Sequence, residues 1–185
     1  RIDSLDSGYL SYATVVADQA LEQAGILSKE LRDGQIRGPL HGVPLGMKDV
    51  YATKDIRTTY GSRIFNNHVP SEDATTVIQL RDAGTVLLGK LNLHTLEFGP
   101  TGQNETYGDM HNPWDTTRYT GGSSGGSASA VSAGECTLGM GRFFFFATCT
   151  NCQDRRVVIL KQILDILVIF EMTRILDQIL DPENV

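Results

Sequence analysis

The chain is predicted to be an α/β protein, on three observations. Residues 71–84, SEDATTVIQLRDAG, have the spacing of a capped helix, and the apolar run TVLLG (85–89) follows them directly. A helix that feeds a short apolar strand through a tight glycine turn is the unit from which α/β sheets are built. A second apolar strand, within GPLHGVPLGMKDV (38–50), is bounded by Gly and Pro, and a helical period runs through residues 12–33 ahead of it.

In chain order, the first element is the helix expected over 12–33. Val15, Val16, Ala20, Leu21, Ala24, Leu27 and Leu31 supply its apolar face, with Gly34 as its stop. The strand of 38–50 ends at Lys48. In the helix of 71–84, Glu72 and Asp73 are expected in the first turn, Val77, Ile78 and Leu80 face inward, and Gly84 closes it. TVLLG is a short apolar run, which predicts a strand buried on both faces. A polar, glycine-rich stretch (99–126) then leads into SASAVSAGE (127–135), a helix of small residues able to pack very closely on a sheet. No internal repeat is visible.

Apolar residues make up 41% and charged residues 21%, the composition of a globular chain. The net charge of −6 disfavours nucleic acid as a partner, because phosphate binding needs a basic surface. Three cysteines, Cys136, Cys149 and Cys152, are too few and too bunched for a secreted disulfide framework, so a reducing, cytoplasmic setting is expected. No apolar run approaches the length of a membrane span. The chain opens at Arg1 without an initiator Met, and an upstream segment is expected.

Two places carry candidate chemistry. Lys48 ends an apolar strand rather than standing on a charged helix face. Desolvation there lowers a lysine's pKa and makes it a usable base; the alternative is an ordinary surface lysine after a strand. The loop Gly121-Gly122-Ser123-Ser124-Gly125-Gly126-Ser127 lets the backbone approach a ligand closely and holds hydroxyls in it. Its alternatives are a flexible turn and a phosphate loop. A helix starting at once argues against the first, and the second lacks the lysine its mechanism requires.

Three blocks in order and spacing, GPLHGVPLGMKD, DATTVIQLRDAGTVLLGKLNLHTLEFG and NPWDTTRYTGGSSGGSASAVSAGE, resemble the amidase signature family over about residues 1–141. The resemblance implies part of a mixed central sheet flanked by helices and hydrolysis of a carboxylic amide C–N bond. Catalysis would use a Lys–cis-Ser–Ser triad with no cofactor and no metal. It assigns Lys48 as the base and Ser123 as the bridging serine on a cis peptide, within the loop of Gly121, Gly122, Ser124, Gly125 and Gly126. In such a relay a neutral lysine draws a proton through the bridging hydroxyl, and the nucleophilic serine attacks the amide carbonyl. Backbone N–H groups of a following glycine loop would steady the oxyanion. The implied substrate is a small-molecule amide; the family resemblance leaves its identity and the oligomeric state open.

The chain departs from this pattern after Gly141. The nucleophile is expected 24 positions beyond Ser123, in a TDTGGS-like segment, but that position is Ala147 within RFFFFATCT. Alanine has no hydroxyl to attack with. Thr148 and Cys149 are neighbours, but using either requires a loop one or two residues out of phase. Cys149 and Cys152 have CxxC spacing without a second pair, so unmatched thiols are the simpler reading. The edge between familiar and unfamiliar sequence is abrupt. Two domains are therefore expected: 1–141, the N-terminal portion of an amidase signature domain, and 142–185, an unrelated helical tail of retained-intron or frameshift origin. Ile159, Ile163, Leu167 and Phe170 give the tail its helical spacing. Strands of the first portion would lack neighbours, leaving an open edge, uncovered apolar surface and a poorly packed state.

His41, His68, His94 and His111 are scattered and lack the spacing of a metal helix. Asn104-Glu-Thr106 is a glycosylation sequon, expected to be silent. Asp49 either pairs with its neighbour Lys48 or faces solvent. Functionally, the sequence reads as an amidase chain without its nucleophile and so inactive. The second reading is a non-catalytic amide-binding or partner-interaction protein derived from an amidase.

Overall fold

A computed structural model describes residues 1–142; Ala147, Thr148, Cys149, Cys152 and the helix expected in the tail lie outside the described residues. The elements are α1 (Ile2–Tyr9), β1 (Tyr12–Val15), α2 (Ala17–Arg32), β2 (Pro44–Lys48), α3 (Thr75–Asp82) and β3 (Val86–Leu91), then β4 (His111–Asn112), β5 (Asp115–Tyr119), α4 (Gly125–Ser132) and β6 (Leu138–Met140). Four strands form a mixed sheet in the order β1-β3-β2-β6. β1 runs antiparallel to β3, whereas β2 is parallel to both β3 and β6. The α/β class and the mixed sheet with helices around it are as expected.

The helical period over 12–33 conceals a strand. Tyr12, Thr14 and Val15 are aromatic or β-branched and join the sheet edge, with Val16 as the N-cap of α2. Only Ala20 and Leu27 of α2 are buried, packing with Val86 of β3; Leu21 and Leu31 are exposed. Gly34, at φ +75°, follows the helix end.

α3 is shorter than its sequence pattern. It starts at Thr75, so Glu72 and Asp73 precede its first turn. Asp73 instead ties the approach down, accepting from Lys54 N at 2.7 Å and pairing with Arg81. Val77 and Leu80 pack on Leu45 and Met47 of β2, while Ile78 points outward, 46% exposed. β3 outlasts the TVLLG run by two residues, and Lys90 and Leu91 within it are fully buried. Leu87 packs with the α3 cluster and Val86 with the α2 cluster, so apolar contacts cover both faces of β3. β4 and β5 form a small hairpin that the sequence pattern does not reveal, since β5 (DTTRY) is exposed along its whole length.

α4 begins at Gly125, two residues earlier than expected, and Gly125 to Ala130 are all buried. A Cβ on Gly126 would lie 2.4 Å from the Asn92 carbonyl and 2.5 Å from the Ser11 carbonyl, so only glycine permits this approach. The expected poor packing is not what the described residues show, because three buried clusters tie the helices to the sheet. Uncovered apolar surface is present all the same: Phe98 is 92% exposed and Trp114 77%. Among the described residues β6 pairs only with β2 and forms one edge of the sheet, β1 the other.

Candidate active site

Alternation along β2 places the lysine. Leu45 and Met47 pack in the α3 cluster, so Gly46 and Lys48 take the opposite face, where the 121–124 loop and α4 lie. Gly46 is closed over by Leu91, whose Cδ1 would stand 2.7 Å from an added Cβ. Lys48 runs beside it with no side-chain exposure.

The lysine ammonium is surrounded by three oxygens. Nζ lies 2.8 Å from Ser123 Oγ, 2.9 Å from Glu97 Oε1 and 3.4 Å from the Arg142 carbonyl. Burial pulls the Lys48 pKa below its ordinary value; the Glu97 carboxylate opposes that shift and the Arg142 cation adds to it.

Ser123 is held by its backbone. Its carbonyl accepts from His94 N at 2.9 Å, just past β3, and its peptide with Gly122 is cis. Gly121 precedes them at φ +82°, a left-handed turn that favours glycine. Ser124 is the N-cap residue of α4, and its hydroxyl exchanges hydrogen bonds of 3.1 Å with the Arg142 N–H and carbonyl. Gly125 and Gly126 form the first residues of the helix, and Gly126 N donates to the Asn92 carbonyl at 3.0 Å. Tyr51 Oη closes the far side by donating to the Gly141 carbonyl at 2.8 Å. The structure thus brings Lys48, Ser123, Ser124 and the loop glycines together.

Asp49 takes neither of its expected roles. It is buried and turned away from Lys48, 3.5 Å from Lys90 Nζ, and its other oxygen accepts from Thr59 N at 2.9 Å and Thr59 Oγ1 at 2.5 Å. Lys90 also donates to the Tyr51 carbonyl at 2.7 Å and Thr58 Oγ1 at 2.6 Å. Sequence reasoning misses this second buried amine because it follows Gly89 in an otherwise apolar strand. Burial takes its pKa down to about 8.

Sequence reasoning misses Glu97 too. Within NLHTLEFG it reads as an ordinary surface carboxylate, and only the backbone path of that turn brings it to Lys48. Asn104 is 1% exposed; its amide donates to the carbonyls of Gly61 and Leu93, and its oxygen accepts from Thr106 N and Tyr107 N. In the folded chain the sequon asparagine is thus engaged at both ends of its amide. Cys136 is buried, a free thiol whose pKa burial raises to about 11. Among the described residues no group of three or more His, Cys, Asp or Glu side chains is placed to hold a metal. No helix among them is long and apolar enough to cross a membrane.

A desolvated lysine hydrogen-bonded to a serine in a glycine loop thus lies on one face of a mixed α/β sheet. The family profile described as Amidase matches residues 1–142, and the chain belongs to the amidase family. Curated relatives include a glutamyl-tRNA(Gln) amidotransferase subunit from Syntrophus aciditrophicus, 44% identical over 141 residues, which are 76% of this chain and 29% of that protein. Its counterpart from Thermobifida fusca is 46% identical over the same length, 28% of that protein. Among solved structures, the peptide amidase of Stenotrophomonas maltophilia matches with a TM-score of 0.70 and 36% identity, over 75% of this chain and 30% of that one. The glutamyl-tRNA(Gln) amidotransferase subunit of Thermotoga maritima gives 0.62 and 34%, over 76% of this chain and 28% of that one. The chain therefore spans a little under a third of the length of these relatives.

Proposed function

We propose that this chain is a catalytically incomplete amidase segment. It carries the relay half of a Lys–cis-Ser–Ser centre, Lys48 as base and Ser123 as bridge, and lacks the serine that attacks. The observation that carries the reading is the 2.8 Å hydrogen bond between Lys48 Nζ and Ser123 Oγ, formed between residues 75 positions apart in the chain (123 − 48). Two groups that the family motif pairs meet at bonding distance. The position the motif reserves for the nucleophile is Ala147, preceded by four phenylalanines, of which Phe145 and Phe146 stand where the motif has glycines.

A relay of this kind moves a proton but forms no bond to carbon. With a neutral Lys48, Ser123 Oγ–H would pass its proton to Nζ while taking one from an attacking hydroxyl. With alanine there, no acyl-enzyme forms and the amide C–N bond stays intact. The ligand class remains a carboxylic amide. The low number and late clustering of the cysteines, with Cys136 buried and unpaired, support a cytoplasmic setting.

The test is hydrolysis of a panel of aliphatic, aryl and peptide amides, together with labelling by a fluorophosphonate and mapping of any adduct. No turnover above background and no adduct are expected. Turnover abolished by Lys48→Ala, or an adduct mapped beyond Gly141, overturns the reading.

A further inference from the structure

Glu97 approaches Lys48 from a turn whose backbone is arranged against ordinary preference. Leu96 and Glu97 both adopt left-handed conformations, at φ +54° and +62°, and neither is glycine. Left-handed angles are unfavourable for any residue but glycine, and a bulky leucine is an outlier there. Packing of Leu96 and Phe98 does not offset the cost, since these side chains are 45% and 92% exposed. The turn puts its apolar side chains outside and its carboxylate inside. Glu97 N donates to the His94 carbonyl and Leu96 N to the Tyr60 carbonyl, both at 2.9 Å, which fixes the carboxylate in place.

What the inverted turn achieves is an ion pair of 2.9 Å between Glu97 Oε1 and the fully buried Lys48. The second oxygen, Oε2, is 3.8 Å from Arg142 Nη1. Lys48 can sit in this shell in either protonation state. As an ammonium it donates to Glu97, Ser123 and the Arg142 carbonyl; as an amine it keeps two donations and accepts from the Ser123 hydroxyl. Only the second state takes a proton from Ser123. The charged and titratable groups facing Nζ are Glu97 from the turn after β3 and Arg142 from beyond β6. Ser123 Oγ faces it from the loop before α4, and on its own strand Asp49 is committed to Lys90.

We propose that Glu97 is the positioning residue of this centre, holding Lys48 as an ammonium so that the lysine donates to Ser123 instead of accepting its proton. The inference rests on Lys48 and Ser123 forming the relay, and it adds a gate on that relay. The sign follows from charge: removing the carboxylate withdraws support for the ammonium, so Lys48 loses its proton at lower pH.

The test is an NMR titration of the full chain labelled with isotopic lysine, Lys48 being assigned by its loss in Lys48→Arg. In Glu97→Gln the Lys48 midpoint is expected to fall by about one pH unit or more, the usual effect of deleting an opposite charge at this distance. Glu97→Asp, which keeps the charge, returns it toward the parent value. Arg142→Gln, which removes the competing cation, raises it. Lys90 reports an intact fold in the same spectra. A Lys48 midpoint unmoved in Glu97→Gln, with Lys90 unperturbed, overturns the proposal. If Glu97→Gln fails to fold, Glu97→Ala, which removes the same charge without placing an amide beside the lysine, decides: a fall in the Lys48 midpoint supports the gate and an unchanged midpoint rejects it. The titration reads one ion pair and no turnover, so its failure leaves the hydrolysis and labelling results to judge the relay separately.

Discussion

Asp49 and Lys90 face each other at 3.5 Å with neither side chain exposed to solvent, immediately behind the lysine that meets Ser123. Burial raises the pKa of the acid and lowers that of the amine, while each partner opposes the other's shift. Their hydrogen bonds to Thr58, Thr59 and Tyr51 pin the strand end from which Lys48 projects.

Removing one partner of such a pair leaves an uncompensated buried charge. Asp49→Asn should therefore lower unfolding stability by about 3–5 kcal/mol, read from the urea midpoint at neutral pH. Adding Lys90→Met removes the stranded amine. The double variant should then lose clearly less than the sum of the two single losses. Strict additivity would mean that the pair is not coupled.

Close approach at α4 makes a second prediction. An alanine at Gly126 must push its Cβ into the carbonyls of Asn92 and Ser11, 2.4 and 2.5 Å away, neither of which is free to rotate aside. Gly126→Ala should cost about 1–3 kcal/mol, as overpacking does. Gly25, within α2, has nothing within 4 Å of its ideal Cβ. Gly25→Ala should instead add up to about 1 kcal/mol through helix propensity. Thermal unfolding of the two variants should shift in opposite directions; a stabilised Gly126→Ala would rule out the tight contact.

The contrast between these glycines shows what can be read from sequence. The glycine-serine block and the strand ending at Lys48 are legible because their residue types are costly elsewhere: dense glycine for close approach, a lysine closing an apolar run. The boundary at Tyr12 is not, since Val15, Val16 and Ala20 satisfy a helical period whether or not the first of them is in a strand. Ile78 fits the apolar face of α3 by spacing yet points outward. Glu97 and Asp49 are illegible for a different reason. Which cation a carboxylate meets depends on the backbone path between elements, and left-handed angles at Leu96 and Glu97 leave no mark in residue type.

Glu135 makes the third prediction, a dependence of stability on pH. It lies just beyond α4, 4% exposed, and among the described residues no donor meets hydrogen-bond geometry at either carboxylate oxygen. Burial raises its pKa from 4.5 to about 7, and the nearby Asp6 carboxylate adds to the shift. The Ser11 hydroxyl pulls the other way but is committed to Ser129 Oγ at 2.9 Å, and the cationic Arg1 also opposes the rise. Asp6 is itself raised by burial, although it accepts from Ser11 N at 2.6 Å. The folded chain therefore binds more protons at Glu135 than the unfolded chain between about pH 4.5 and about 7. This contribution to stability is fully present below the lower value, declines as pH rises through the window and is gone above the upper one. Urea midpoints measured across that range should fall with rising pH in the parent chain. In Glu135→Gln the decline over the upper part of the window should vanish and the alkaline midpoint should exceed the parent's, with Asp6 leaving a smaller slope at the acid end. An unchanged slope in Glu135→Gln would show that this carboxyl is not held protonated by the fold.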